Sequence, residues 1–118
     1  MLHLRNITEL KAEWEELLDV LNDKFDNDLD LQGVIFLIGV QELGQGSRKY
    51  TKAEKQDLMH IAVCTVLSPG GFYELSHVDA DGWPHFKQLK PMPDMHPAEQ
   101  ENFLKDHILL YFQNNDFT

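Results

Sequence analysis

The chain has 118 residues, of which 42% are hydrophobic and 25% charged, as in a typical folded soluble domain. Its 20 acidic and 10 basic side chains give a formal net charge of -10, which excludes an extended nucleic-acid partner and an anionic membrane surface because both would repel it. No signal peptide opens the sequence, no apolar run approaches the roughly 20 residues that span a bilayer, and the single Cys64 cannot form an internal disulfide. We therefore expect one cytoplasmic domain covering residues 1–118.

Two helices are predicted in the first part of the chain. Apolar residues recur on one helical face from about 9 to 25, with Thr8 as the expected N-cap. The segment 31–43 is apolar without a one-sided period and is too long for an ordinary strand, so we predict a buried helix that ends at Gly44. Gly39 inside this helix would allow a neighbouring element to pack closely.

A third helix is predicted over about 52–67. Thr51 and Glu54 form a capping-box pattern at its start. Apolar residues occupy most of its circumference, which is typical of a central helix. Helices 2 and 3 are therefore expected at the centre of the fold.

The last third of the chain combines a hairpin with a helix. Aromatic residues flank an Asp-Gly turn within 72–89, which favours a β-hairpin. Pro97 suits the first turn of a final helix over about 97–113. The predicted fold class is mostly α: a four-helix domain with one β-hairpin inserted between helices 3 and 4.

The first candidate site is a set of polar residues on three predicted helices. Asp57, His60 and Cys64 form a polar stripe on helix 3, and the one-turn spacing of His60 and Cys64 would suit a metal-binding sulfur or an activated thiolate. His107 lies on the apolar face of helix 4 and Glu42 ends helix 2, so a shared pocket is conceivable. The structural alternative is a small buried cysteine and a hydrogen-bonded core histidine. We favour this alternative and expect no metal, because the Glu-x-x-His pairs of di-iron bundles are missing from these helices.

The second candidate site is an anion-binding loop from Gly44 to Lys52. Glycines there precede a helix N-terminus, where free N–H groups and the helix dipole favour a phosphate or carboxylate. The residues that would hold a small anion are Ser47, Arg48, Lys49 and Lys52. The alternative is a solvated basic turn, and no P-loop pattern is present.

The third candidate is a partner surface on the hairpin. Four aromatic side chains are concentrated there, namely Tyr73, Trp83, His85 and Phe86. Aromatic residues are enriched at interface hot spots, but the favoured alternative is that these side chains cover one end of the helical core.

Three segments of the chain, 38–44, 59–64 and 79–85, resemble a small family of uncharacterised bacterial proteins. The resemblance spans about residues 31 to 112. It implies no activity, substrate or cofactor.

The predicted function is that of a small, acidic, non-catalytic protein-interaction module that self-associates as a homodimer and carries no cofactor. No set of residues satisfies a recognised catalytic geometry, so an enzymatic function is the less favoured hypothesis. The alternative is a small enzyme or ligand-binding protein, with its pocket near Glu42, His60, Cys64 and His107 or its anion site in the Gly44–Lys52 loop. Residues 1–42 carry a net charge of -7, whereas residues 43–90 carry +1, so the partner surface is expected in the middle third.

Overall fold

The computed structural model describes residues 6–25, 28–46 and 48–115. These residues form the predicted fold, with element boundaries within two residues of those expected. In chain order the elements are α1 (Ile7–Phe25), α2 (Leu31–Leu43), α3 (Lys52–Leu67), β1 (Tyr73–Val78), β2 (Pro84–Gln88) and α4 (Pro97–Asn114). The two strands pair antiparallel in a two-stranded sheet between α3 and α4. No helix in these residues has the length and apolar character that crossing a membrane requires.

The N-terminus of α1 differs from the prediction. Asn6, rather than Thr8, caps the helix: its Oδ1 accepts a hydrogen bond of 2.9 Å from the backbone N–H of Glu9. The side-chain amide of Asn6 in turn donates to the Glu9 carboxylate. This reciprocal pair provides a hydrogen-bond acceptor for a backbone N–H of the first turn, and the helix cap lies two residues before Thr8. Thr8 therefore lies inside the helix, and the Thr8 prediction is wrong.

The other predicted helix ends are confirmed. Gly44 adopts the left-handed conformation (φ 73°) that ends α2, and its N–H donates to the carbonyl of Val40. Thr51 and Glu54 form the full capping box of α3. Pro97 is the first residue of α4.

α3 is central, as expected, because α2, α4 and both strands pack against it. Its close contact with α2 depends on Gly39: a Cβ atom built there would lie 2.2 Å from the carbonyl oxygen of Leu58. A side chain at this position would therefore hold the two backbones apart, which confirms the predicted close approach. α2 is buried mainly on the side that faces α3, whereas Phe36, Leu37 and Val40 on its other side are half-buried.

The hairpin is organised by its turn. The Oδ1 atom of Asp79 accepts hydrogen bonds from the backbone N–H groups of Asp81 (2.9 Å) and Trp83 (3.0 Å). The side chain of Gln45, just after α2, donates to the carbonyl of Asp81 at 2.9 Å. The turn is thus tied to the loop before α3, and the hairpin lies alongside the first half of α3.

Candidate functional site

A cleft of about 430 Å³ lies between α3 and the hairpin. This volume is in the range of small-ligand sites. α3 contributes Glu54, Asp57, His60 and Ile61, and the hairpin contributes Asp79, Trp83, Pro84, His85 and Phe86. Two groups of residues that the sequence suggested separately therefore meet here: part of the helix 3 polar stripe and most of the hairpin aromatic set.

The helical wall of the cleft follows from spacing along α3. Glu54, Asp57 and Ile61 are three and four residues apart, which places them on one face of the helix. The Glu54 carboxylate accepts from the backbone N–H of Thr51 at 2.9 Å and forms an ion pair with Arg48 at 3.3 Å. The hydrogen bond from the Thr51 backbone, with Arg48 adding to it, lowers the pKa of Glu54. Glu54 is therefore ionised at neutral pH.

Asp57 differs from its neighbour Glu54. Its side chain is exposed, and within the described part of the chain it has neither a hydrogen-bond partner nor an ion-pair partner. Its charge is therefore available to a ligand in the cleft.

The hairpin wall is built around Asp79. Its Oδ2 atom lies 2.9 Å from Nε2 of His85, while Oδ1 holds the turn. The hydrogen bond with His85, followed by the one from the Trp83 backbone, lowers the pKa of Asp79. The His85 ring also stacks on His77, with ring centroids 4.6 Å apart. These contacts fix the orientation of His85 at the mouth of the cleft.

Serine, histidine and aspartate occur together on the hairpin, but they do not form a catalytic triad. Ser76 Oγ lies 3.1 Å from Nδ1 of His77, whereas Asp79 contacts His85. A triad needs one imidazole between the hydroxyl and the carboxylate, so that the imidazole takes the serine proton and the carboxylate stabilises the resulting imidazolium. Here two different imidazoles are involved, which does not activate Ser76.

The cleft is lined by acidic rather than basic side chains. Three carboxylates line it, no lysine or arginine is among the lining residues, and Arg48 pairs with Glu54 from outside the lining. Trp83 and Phe86 add aromatic surface. Carboxylates beside aromatic rings attract organic cations, through charge and through the negative faces of the rings.

The remaining members of the predicted pocket lie elsewhere. Glu42 accepts a hydrogen bond of 2.6 Å from the Tyr111 hydroxyl of α4, beside a different and smaller pocket. Burial, with the Glu42 carboxylate adding to it, raises the pKa of Tyr111. Cys64 is fully buried behind the cleft wall, with Sγ 3.5 Å from Nε2 of His60. The structure therefore joins Asp57, His60 and Cys64 along α3 but separates Glu42 from them.

His107 belongs to the core. It is 1% exposed, its Nδ1 lies 2.7 Å from the carbonyl oxygen of Phe103, and its ring packs against Phe72 and Phe103. Burial lowers the pKa of His107, so it is neutral at physiological pH, with Nδ1–H as donor. Among the described residues, Nε2 has no hydrogen-bond partner. This is the hydrogen-bonded core histidine of the structural alternative, and it does not line the cleft.

The burial of Cys64 yields a prediction about its reactivity. Burial raises the pKa of the thiol from 9.0 to about 11, so almost no nucleophilic thiolate forms near pH 8. We expect the native protein to be inert to Ellman's reagent at pH 8 and to react with one equivalent once unfolded in urea. Immediate reaction of the native protein would show that the thiol is accessible.

The same shift affects stability at alkaline pH. Because the folded pKa is the higher one, the unfolded thiol ionises first as pH rises. The contribution of Cys64 to stability is thus present below about pH 9 and is lost as the pH rises toward 11. A Cys64→Ala variant should therefore lose less of its free energy of unfolding than the wild type between about pH 9 and 11, as measured by urea unfolding.

In the predicted anion loop, Arg48 forms its hydrogen bonds within the protein. The Arg48 guanidinium donates to the Gln45 side chain (3.0 Å), to the Lys49 carbonyl (3.1 Å) and to Glu54, and it lies 4.2 Å from the Tyr50 ring centre. The capping box already satisfies the N–H of Glu54 at the start of α3.

The other residues of the predicted anion set are described by their exposure. Lys49 and Lys52 are exposed, and Ser47 lies outside the described residues. The geometry favours the solvated basic turn, and a small anionic ligand at this loop stays a prediction.

The hairpin aromatic set divides between two roles. Trp83, His85 and Phe86 line the cleft, whereas Tyr73 packs edge-on against His60, with ring centroids 6.5 Å apart. Sequence reasoning missed Glu54 and Asp79 as site residues, because their patterns indicated only a helix cap and a turn. Both perform those local roles and also face the cleft.

In the residues described, no three histidine, cysteine or acidic side chains converge in a way that could hold a metal ion. Comparisons with family models, with curated proteins and with solved structures found no match. The resemblance to a bacterial family therefore gains no support from them.

Proposed function

We propose that this protein is a non-catalytic interaction module whose cleft receives a lysine or arginine side chain of a protein partner. The observation that carries the proposal is the lining of the cleft: three carboxylates and two aromatic rings without a lysine or arginine. A basic side chain would place its apolar stem on the aromatic surface and its charge between the carboxylates.

The three carboxylates have different roles in this proposal. Glu54 and Asp79 are held in place by their own hydrogen bonds, and the ion pair with Arg48 offsets part of the Glu54 charge. Asp57 has no such partner and gains one on binding. Because Asp57 is exposed, its attraction to a ligand is screened by water and salt, and we expect weak, salt-sensitive binding with Kd on the order of micromolar to millimolar.

A binding role fits the geometry better than a catalytic one. The Cys64 thiol is buried and protonated, and the Ser76 hydroxyl is not aligned with a histidine–carboxylate pair. Neither Cys64 nor Ser76 is among the residues that line the cleft. We also propose a cytoplasmic location, which a buried, unoxidised thiol suits.

The proposal predicts binding of a basic peptide. Tetralysine, titrated into 15N-labelled protein, should give saturable NMR shifts of the Trp83 indole N–H and the Asp57 amide. Tetra-acetyllysine has the same backbone without the charges and should produce no such shifts. Asp57→Asn should weaken tetralysine binding about 5-fold or more, because it removes the carboxylate that lacks a partner within the protein.

The control must distinguish binding in the cleft from general attraction of tetralysine to a protein with a net charge of -10. Asp23→Asn removes the same charge from the exposed end of α1, away from the cleft, and should leave tetralysine affinity unchanged. Equal losses for Asp57→Asn and Asp23→Asn would show non-specific attraction and would overturn the proposal. Absence of Trp83 shifts in the wild-type protein would do the same.

A further inference from the structure

The outer face of α2 is apolar although no described element covers it fully. The buried residues of α2 share one side of the helix: Val34, Ile35, Ile38, Gly39 and Leu43. Phe36, Leu37 and Val40 lie on the opposite side, within about 100° of one another, and each is half-buried. We call Phe36, Leu37 and Val40 the outer stripe. A solvent-facing helical surface usually carries polar residues, so this stripe indicates a contact surface.

Charge identifies a second copy of the chain as the occupant. Residues 31–41 contain no Asp, Glu, Lys or Arg, in a chain whose net charge is -10. Two copies would repel each other across most acidic surfaces, but the outer stripe adds no charge to the contact. A partner identical to the protein can therefore approach through this helix with the least repulsion.

The two ends of α2 differ in their charged neighbours. The N-terminal end begins at Asp30, whose carboxylate caps the helix. The C-terminal end carries Glu42, which accepts a hydrogen bond from Tyr111, and then leads into a basic loop that contains Arg48, Lys49 and Lys52. This loop folds back along α2, because the Tyr50 ring lies edge-on against Phe36 with centroids 6.2 Å apart.

These charges select the relative direction of the two helices. In an antiparallel pair, the acidic end of each α2 lies near the basic loop of the other copy, whereas a parallel pair would bring like charges together. Both directions allow the two-fold symmetry of most homodimers, in which the same surface is used twice, and in the antiparallel pair the axis is perpendicular to the helices. The central residue of α2, Leu37, would then lie close to its own symmetry mate.

We propose that the protein forms a two-fold homodimer by antiparallel packing of the outer stripes of α2. A helix of this length presents only about 20 Å of contact, so the interface is at the small end of specific interfaces. The dimer should therefore form over the range from about 10 µM to 1 mM. None of the residues that line the cleft between α3 and the hairpin belongs to the outer stripe, so the dimer and the proposed ligand are tested with different variants.

Sedimentation equilibrium of the full chain tests the proposal. The weight-average mass should rise toward twice the monomer mass as the concentration increases to about 1 mM. Leu37→Gln should raise the dimer Kd about 10-fold or more with an unchanged circular dichroism spectrum. Val20→Gln places the same polar side chain at a 63% exposed apolar position of α1 and should have no effect. A monomer at 1 mM, or loss of the dimer in Val20→Gln instead, would overturn the proposal.

Two further variants test the direction of the helices. Leu37→Cys should form an intermolecular disulfide on mild oxidation, since the two-fold axis passes near this residue and the native Cys64 is buried. Lys49→Glu should weaken the dimer, whereas Lys87→Glu on the hairpin changes the net charge equally and should not. Equal effects of the two charge reversals would exclude the antiparallel arrangement. Absence of a disulfide in Leu37→Cys would exclude packing of the two outer stripes on each other, in either direction.

Discussion

Replacing Gly39 by alanine should destabilise the protein by about 3 kcal/mol or more, at the upper end of the cost of overpacking a core. The added Cβ would lie 2.2 Å from the carbonyl oxygen and 2.7 Å from the carbonyl carbon of Leu58. Both are backbone atoms of α3, so no side-chain rotation can relieve the contact and the two helices must move apart. Urea unfolding followed by circular dichroism measures the loss.

Gly33→Ala is the matched control, because it makes the same change in the same helix. Its Cβ would meet Leu29 Cδ2 at 2.9 Å, which is the end of a flexible side chain that can turn away. Alanine favours a helix over glycine by up to about 1 kcal/mol, so this variant should be as stable as the wild type or more so. The two variants are compared at one protein concentration. Equal stability of Gly39→Ala and the wild type would contradict the close packing of α2 on α3.

The second large effect is expected at Trp14. Trp14→Ala should lose about 3–5 kcal/mol, the usual cost of deleting a buried large aromatic side chain. Trp14 is only 5% exposed and belongs to the core together with Leu10 and Leu21 of α1. The ammonium group of Lys105 on α4 also lies 5.2 Å from the ring centre. Removing the ring would therefore weaken the packing of α1 on α4.

Chemical unfolding of Trp14→Ala and Trp14→Phe checks this prediction. Phenylalanine keeps most of the buried apolar surface, so Trp14→Phe should lose clearly less stability than Trp14→Ala. In both variants Trp83 becomes the one remaining tryptophan of the chain, and its fluorescence then reports on the cleft. A loss below about 1 kcal/mol for Trp14→Ala would mean that α1 is not held by this side chain.

Gly39→Ala bears on the proposed function through the position of α3. Gly39 sets how closely α2 approaches α3, and α3 carries Glu54 and Asp57 in the cleft. A modest loss of stability that leaves the fold intact should not change ligand affinity. This separation makes Asp57→Asn, rather than a core variant, the informative test of the cleft.

Local signals in the sequence were sufficient to predict the elements. Helical periodicity, the capping box at Thr51 and the left-handed Gly44 each act over a few residues, so they can be recognised without knowledge of the rest of the fold. The error at Thr8 arose because Asn6 and Glu9 form a competing local pair. The apolar α2 was correctly predicted as a helix, but its composition could not show which side would be covered.

The site could be predicted only in part. Asp57 and His60 were identified from their position on one helix, and Trp83, His85 and Phe86 from their density on the hairpin. That these two sets face one cleft depends on how the hairpin folds back along α3, which the Gln45 contact to the turn helps to fix. Such contacts join residues 36 positions apart, and no local pattern encodes them.

What the sequence by itself determined is therefore the helices, the hairpin and the acidic character of the chain, since each depends on neighbouring residues or on composition alone. Only the tertiary structure decided that His107 lies in the core, that Glu42 pairs with Tyr111 and that Asp57 faces Trp83 across a cleft. The reason is physical: a side chain's burial and partners depend on which helix faces meet in three dimensions. The same distinction explains why the half-buried outer stripe of α2 could be recognised only once the packing of α2 on α3 was known.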